Sequence, residues 1–217
     1  MINKILSGCV ALLVLGAIGF VTYFKVVLPR DIPAPAIELP TDAASIARGE
    51  YLANHVAVCM DCHSKRNWDV YAGPLVPGTL GQGGEVFDET TGLPGTIFSK
   101  NITPYSLGNW SDGELFRAIT GGLRKNGDAL FPLMPYDAYR TMDESDLLAI
   151  MAYLRTIPSI ENEVGKQDLS FPLNFIVNAI PKEAELIQVN RDDTLEYGEY
   201  LSTLAGCTWC HTPLAGP

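Results

Sequence analysis

Two short runs of the chain combine thiols and an imidazole at the same spacing. Residues 59–63 are Cys-Met-Asp-Cys-His, and residues 207–211 are Cys-Thr-Trp-Cys-His. Two thiols three positions apart can each form a thioether to a vinyl group of haem, and the adjacent His can bind the iron, so this pattern indicates c-type haem attachment. The sequence therefore predicts two covalent haem c sites. Their residues are Cys59, Cys62 and His63 in the first, and Cys207, Cys210 and His211 in the second.

Four thiols can also serve other purposes. In an exported protein they can form two disulfides, and two Cys-x-x-Cys pairs can bind zinc. Zinc ribbons separate their pairs by roughly 15–20 residues and need no His after each pair. Here the pairs lie much further apart, and two of the three His in the chain follow them. The sequence favours haem over both alternatives.

The charge of the chain excludes one class of partner. The formal net charge is -10, and residues 31–217 carry 12 basic against 25 acidic side chains. A protein that binds nucleic acid needs a basic surface, so we expect no nucleic-acid partner. An acidic surface suits docking to a basic partner protein, or simply solubility.

The N-terminal stretch predicts a membrane anchor. Residues 5–24 are almost wholly apolar and lie between Lys4 and Lys25, which is about the length that a membrane-spanning helix needs. A cleaved signal peptide usually has an apolar core of roughly 7–15 residues followed by a small-x-small site, and none is obvious before Pro29. We predict a single-pass, uncleaved signal anchor in residues 1–30. A proline-rich linker follows in residues 31–40.

Residues 41–158 have the pattern of a first helical domain. One predicted helix precedes residues 59–63, and another, with an apolar stripe of Leu147, Leu148, Met151 and Leu154, ends at Pro158. We expect these two helices to cross and to shield one edge of the haem. The predicted N-terminal caps are Thr41, Ser111 with Glu114, and Thr141 with Glu144.

Met134 is the predicted sixth ligand of the first haem iron. It lies in Pro-Leu-Met-Pro-Tyr at residues 132–136, where two prolines keep the backbone out of a helix. Met/His ligation is the cytochrome c arrangement that raises the reduction potential; the alternative is a core Met that fills a gap. The other candidates fit less well, because Met60 lies between the haem cysteines, Met142 is expected to begin a helix, and Met151 falls on an apolar stripe.

The remainder of the chain predicts a connector and a second domain. Residues 159–192 mix charges with an apolar run, as in an ordered connector rather than a free linker. Residues 193–217 restart the first pattern, with Gly-Glu-Tyr-Leu before each Cys-x-x-Cys-His run. Only six residues follow His211, and no Met follows Met151. We expect an incomplete second cytochrome domain, finished by further chain or by another subunit.

Several stretches together carry a resemblance to a known family. Besides the two haem runs they are Asn-Ile-Thr-Pro at 101–104, Asn-Trp-Ser at 109–111 and Pro-Leu-Met-Pro-Tyr at 132–136. The chain resembles the membrane-anchored dihaem and multihaem cytochrome c proteins that serve as electron-accepting subunits of bacterial alcohol, aldehyde and gluconate-type dehydrogenases, and their dihaem relatives in respiratory chains. The resemblance covers nearly all of residues 41–217. It implies an all-α fold of cytochrome c-like haem domains behind the membrane helix, with Met134 at the axial position.

The resemblance also implies a function. The protein would not be an enzyme itself but would pass electrons in a respiratory chain, from a dehydrogenase subunit to a terminal acceptor such as an oxidase. Its haem domains would lie in the periplasm, held to the cytoplasmic membrane by the anchor. The alternative is a dihaem enzyme of the peroxidase type, with one open haem coordination site. A Met134 ligand opposes that alternative at the first haem.

Overall fold

The chain is mostly helical in a computed structural model, which describes residues 2–28 and 32–212 apart from the side chains of Ile2, Asn3 and Cys210. The predicted boundary between anchor and linker at residues 29–31, and residues 213–217 of the predicted second domain, lie outside the described residues. The α-helices are α1 (Ile2–Thr22), α2 (Ala43–His55), α3 (Cys59–His63), α4 (Pro104–Leu107), α5 (Asp112–Gly121), α6 (Tyr136–Tyr139), α7 (Glu144–Thr156), α8 (Leu173–Ile176), α9 (Thr194–Leu204) and α10 (Cys207–His211).

A small antiparallel sheet adds to the mostly helical fold that the sequence predicted. Its strands are β1 (Val86–Phe87), β2 (Gly95–Phe98) and β3 (Asp168–Leu169), in the order β1-β2-β3. Val86 pairs with Phe98, and Gly95 pairs with Leu169. Strands of two to four residues are too short for the alternation that reveals a strand in a sequence. Through β3, residues 168–169 pair with β2 and so contact the part of the chain that precedes α4.

Helix α1 continues into a π-helical turn over Tyr23–Val27. Together they form an apolar segment, Lys4–Val27, with a mean hydropathy of 2.4, and no residue of its most apolar part is buried. At 1.5 Å per residue, an α-helix of this length exceeds the roughly 30 Å of a bilayer core. The segment is thus long and apolar enough to cross a membrane.

The proline-rich segment packs on the protein instead of forming a free tether. Arg117 donates a hydrogen bond from Nη1 to the Ile32 carbonyl at 3.1 Å, and Ile32 itself is buried. A Cβ atom on Gly113 would lie 1.9 Å from the Pro35 carbonyl oxygen, so only glycine permits this close approach to α5. Sequence composition does not reveal such a contact, since it depends on a residue nearly eighty positions away.

Two of the three predicted caps were wrong by one or two residues. Helix α5 has the predicted capping box, in which the Ser111 hydroxyl accepts from the Glu114 amide and the Glu114 carboxylate accepts from the Ser111 amide. Asp42 rather than Thr41 caps α2, and Asp143 rather than Thr141 caps α7. In both cases an Asp follows the predicted Thr within two positions, and its carboxylate accepts a charge-assisted bond from the first turn.

The core centres on the predicted crossing of α2 and α7. Gly49 on α2 lies so close to α7 that an added Cβ would be 1.9 Å from the Ala149 carbonyl oxygen. Leu52 on α2 and Leu147 and Met151 on α7 are fully buried around this point. Because α3 begins four residues after α2 ends, the crossing also fixes the direction from which the first Cys-x-x-Cys-His run enters.

Gly49→Ala is therefore expected to lower the free energy of unfolding by about 1–3 kcal/mol, the usual cost of overpacking. The matched control is Gly198→Ala at the equivalent position of the repeated Gly-Glu-Tyr-Leu, where nothing lies within 4 Å of an added Cβ. That change should be neutral or stabilising by up to about 1 kcal/mol, because alanine favours a helix. Denaturant unfolding of the full chain in detergent measures both. Equal stability of the two variants would contradict the tight crossing.

Candidate haem site

Helix α3 presents the first Cys-x-x-Cys-His run, and a turn in the backbone sets its direction. Val58, the residue before α3, has φ of 47° in the left-handed region, which is strained for a β-branched side chain. The preceding carbonyl, of Ala57, accepts a 2.5 Å hydrogen bond from the buried Tyr139 hydroxyl. The second run is entered in the same way, through Gly206 with φ of 67°. Both runs therefore begin with a sharp turn after a helix.

The side chains of Cys59, Cys62, His63 and Met134 line one cavity of about 380 Å³. This volume is typical of sites for organic ligands and cofactors. Most of the other lining residues are apolar. They include Phe87, Ile97, Phe98, Leu107, Leu115, Ile119, Phe131, Ile150 and Leu154. The structure thus brings Met134 to the same cavity as Cys59, Cys62 and His63, about seventy positions earlier, in surroundings suited to a large, flat, mostly apolar group.

The imidazole of His63 is oriented by a single strong hydrogen bond. Its Nδ1 lies 2.6 Å from the backbone carbonyl oxygen of Lys100. A carbonyl oxygen can only accept, so Nδ1 carries the proton and the lone pair of neutral His63 is on Nε2. Burial lowers the pKa of His63, with the Lys100 carbonyl acting in the opposite direction. A neutral imidazole with a bonded Nδ1–H is the form in which histidine binds metals.

The loop that carries this carbonyl is itself anchored. The Asn101 side chain accepts from the Thr103 amide at 2.9 Å and from the Thr103 hydroxyl at 2.7 Å. It also donates to the Ile160 carbonyl at 2.8 Å. The Asn-Ile-Thr-Pro stretch thereby holds Lys100 in place and ties the start of the connector to the site.

Cys59 and Cys62 carry free thiols, so the disulfide alternative has no support at the first run. Burial raises the pKa of Cys59 to about 12, and it raises the pKa of Cys62 as well. Both groups are therefore protonated thiols at neutral pH. Among the described side chains, no group of three His, Cys, Asp or Glu is arranged to hold a metal ion, which gives the zinc alternative no support.

Two methionines line the cavity. Met134 is half-buried in the loop before α6, and Met142 is fully buried. Met142 does not begin a helix as predicted, since it precedes the Asp143 cap of α7. Met60 and Met151 are fully buried in the core and do not line the cavity. The geometry therefore reduces the candidates for a sulfur ligand to Met134 and Met142.

Cationic side chains mark one part of the cavity wall. Lys100, Arg124 and Lys166 line it, and no described Asp or Glu does. Burial and the nearby charge of Arg124 lower the pKa of Lys100 to about 8. Arg124 donates from Nη2 to Gln167 at 3.1 Å, but its buried Nε has no hydrogen-bond partner. A buried donor in a cationic wall fits an anionic ligand, and haem carries two carboxylates.

The second Cys-x-x-Cys-His run lies apart from this cavity. Cys207 and His211 on α10 are exposed and do not line it, and the side chain of Cys210 is outside the described part. Helix α9, which precedes them, is tied to the first unit by Asp146. That fully buried carboxylate accepts from the Tyr200 hydroxyl at 2.9 Å and from Arg48 and Arg191 at 2.8–2.9 Å. The second run is therefore mounted on the first domain through ordered contacts.

Three residues of the first site escaped sequence reasoning. The Lys100 carbonyl and the Tyr139 hydroxyl act by hydrogen bonds whose partners lie 37 and 82 positions away. Arg124 is a cation in an acidic chain, next to the Gly122 turn that ends α5. For Lys100 the adjacent Asn-Ile-Thr-Pro was a usable signal, because such a stretch rigidifies the neighbouring backbone.

Comparison with known proteins gives three similar relatives among others. The cytochrome c subunit of a quinone-linked alcohol dehydrogenase from Gluconacetobacter polyoxogenes is 30% identical over 79% of this chain and 36% of its own length. The gluconate 2-dehydrogenase cytochrome c subunit of Pantoea cypripedii is 32% identical over 78% of this chain and 38% of its own. The fructose dehydrogenase cytochrome subunit of Gluconobacter japonicus is 31% identical over 80% of this chain and 37% of its own length.

No family model matches the chain. The alignments include about four fifths of the chain, but the chain spans little more than a third of the length of these relatives.

Proposed function

This chain belongs to the family of the cytochrome c subunits of bacterial alcohol, gluconate and fructose dehydrogenases, and we propose that it is a dihaem electron-transfer protein of a respiratory chain. The observation that carries the proposal is the single apolar cavity shared by Cys59, Cys62, His63 and Met134. Haem iron supplies one-electron chemistry by cycling between its ferrous and ferric forms. The protein supplies attachment, ligands and surroundings.

Each residue of the first site has a distinct part in this proposal. Cys59 and Cys62 form the two thioethers, and the fixed Nδ1–H of His63 keeps its Nε2 available for the iron. Met134 gives the sixth ligand from a half-buried loop, which closes the coordination sphere to substrates. A cavity wall of aliphatic and aromatic side chains excludes water and disfavours the more charged ferric state, which raises the potential.

The cationic wall has a part as well. We assign Arg124, with Lys100 and Lys166, to the two haem carboxylates. The unpartnered Nε of Arg124 would gain an acceptor, and cations close to the porphyrin stabilise the added electron of the ferrous form. Gln167, which accepts from Arg124 and donates to the Ala129 carbonyl at 3.1 Å, positions the guanidinium.

The second site and the wider arrangement complete the proposal. Cys207, Cys210 and His211 attach the second haem in the segment 193–217, next to a first haem domain in residues 41–158 and the connector 159–192. The apolar segment Lys4–Val27 anchors the protein by one pass in the cytoplasmic membrane, with the haem domains in the periplasm. Electrons would arrive from a dehydrogenase subunit and leave for a terminal acceptor such as an oxidase.

The protein would not be a catalyst itself. The three relatives described above are named as cytochrome subunits, and each is part of a dehydrogenase. The peroxidase alternative finds no support among them, and it needs an open coordination position that a Met134 ligand would fill at the first haem.

Covalent attachment is tested by the intact mass of the exported full chain, which should exceed the polypeptide mass by two haem groups. The paired change Cys59→Ala and Cys62→Ala should remove one haem mass, and Cys207→Ala with Cys210→Ala should remove the other. Cys9→Ala, on the exposed face of the anchor, is the matched control and should remove none. An unmodified mass for the parent chain would refute the proposal.

Replacement of Met134 by Leu should abolish the weak red absorption band of Met-ligated ferric haem and lower the potential of the first haem, because a thioether ligand favours the ferrous state. Leucine has nearly the same volume, so packing changes little. Met142→Leu is the matched control within the same cavity and should keep the band. The reverse pattern would identify Met142 as the ligand instead.

Arg124→Gln should lower the reduction potential of the first haem, by roughly 60 mV for each 1.4 kcal/mol of attraction lost in a one-electron couple. Lys125→Gln removes the same charge from an exposed neighbour outside the cavity and should change the potential much less. Spectroelectrochemical titration of both variants provides the measurement. Equal shifts of the reduction potential in the two variants would contradict a contact between Arg124 and the haem carboxylates.

A further inference from the structure

The connector exposes apolar side chains beside the anchor. Phe171, two residues before α8, is 76% exposed, and Ile176, the last residue of α8, is 45% exposed. No charged residue occurs in the thirteen positions between Asp168 and Lys182. Single exposed apolar side chains are ordinary on protein surfaces, but these belong to an uncharged segment of a strongly acidic chain.

This segment contacts the last turns of the anchor. The ring of Phe175 lies 5.8 Å from the ring of Phe20, and Phe171 packs edge-on to Phe175 at 6.0 Å. The Lys25 ammonium donates to the Asn174 carbonyl at 2.7 Å and lies 4.7 Å from the centre of the Phe175 ring. The exposed surface of residues 171–176 is thus continuous with the exposed surface of the anchor.

The depth of this contact follows from helix geometry. Lys25 is the first charge after the apolar run, and lysines and tyrosines such as Tyr23 favour the membrane–water boundary. Phe20 precedes Lys25 by five residues, which corresponds to about 7 Å along a helix. With the ammonium of Lys25 at the boundary, Phe20 lies within the bilayer and the Phe175 ring lies beside it.

The backbone of the segment suits such a position, because a polar group that enters lipid needs an internal partner. The amides of Phe175 and Ile176 donate to the Pro172 carbonyl at 3.0 and 3.1 Å, and the Asn174 amide donates to the Ser170 carbonyl. The Asn174 carbonyl accepts from Lys25 and from the Asn178 side chain. The main chain around α8 is therefore largely satisfied without water.

We propose that residues 171–176 form a second membrane contact, with Phe171 and Ile176 inserted in the interfacial region of the bilayer next to the anchor. The proposal rests on the membrane anchor of the proposed function. Lipid is the occupant to expect, because the patch extends a surface that already faces lipid. Two attachment points fix the tilt of the first haem domain against the membrane, which a single helix followed by a tether would leave free.

A photoactivated hydrophobic diazirine tests this directly in the full, haem-loaded chain reconstituted in phospholipid vesicles. Trypsin releases residues 5–25, 67–100 and 167–182 as separate peptides, whose labelling mass spectrometry compares. We expect strong labelling of peptide 5–25 and labelling of peptide 167–182 several-fold above that of 67–100. Peptide 67–100 is a matched control, since its Trp68, Val70 and Tyr71 side chains are 66%, 50% and 97% exposed.

Variants identify the residues responsible. Phe171→Ser with Ile176→Ser should reduce labelling of peptide 167–182 to the level of 67–100, whereas Val70→Ser with Tyr71→Ser should leave it unchanged. An unlabelled 167–182 beside a labelled 5–25 would overturn this inference and keep the anchor. If neither peptide 5–25 nor peptide 167–182 is labelled, both the membrane anchor and the second membrane contact are overturned. Labelling of 167–182 that persists in the Phe171/Ile176 variant would also overturn the assignment.

Discussion

The close crossing of α2 and α7 is the constraint on which the rest of the structure depends. Contact between the Gly49 backbone and the Ala149 carbonyl brings two helices together that are about a hundred residues apart. Their buried side chains form the core, and their ends position the two Cys-x-x-Cys-His runs. The end of α2 leads into α3 and the first Cys-x-x-Cys-His run, while the start of α7 supplies Asp146. The crossing of α2 and α7 therefore positions both candidate haem attachment runs.

Asp146 carries that constraint to the second run. Its carboxylate has no contact with solvent and is bonded by two arginines and the hydroxyl of Tyr200. Arg48 lies on α2, whereas Tyr200 lies on α9 and Arg191 just before it, so Asp146 joins α9 to the two crossing helices and fixes its orientation on them. In the proposed electron transfer between two haems, this orientation would matter more than the stability gained, because the transfer rate depends on the separation of the two centres. A rigid mount serves that need better than a flexible linker.

The sequence predicted the parts of this arrangement that have local signals. The two Cys-x-x-Cys-His runs, the long apolar N-terminal helix, the Ser111 capping box and the crossing of two helices all follow from spacing and periodicity. It did not predict β1–β3, whose pairs are too short for a pattern, or the docking of Ile32 and Pro35 on α5, which depends on Gly113. It also missed the Lys100 carbonyl and Arg124. These groups act through partners that are distant in sequence. In addition, every residue has a backbone oxygen, so the residue type does not indicate which of these oxygens binds a side chain.

At least half of the basic residues after the anchor either line the cavity or are paired with carboxylates. Lys100, Arg124 and Lys166 face the cavity, Arg48 and Arg191 bind Asp146, and Arg155 binds Asp112. Only 12 basic residues occur in residues 31–217, so half of them are committed to these positions. The outer surface is left with an excess of carboxylates. In the proposed function such a surface would accelerate docking to a basic partner, while the half-buried Lys100 and Arg124 would be less exposed to that partner and to salt.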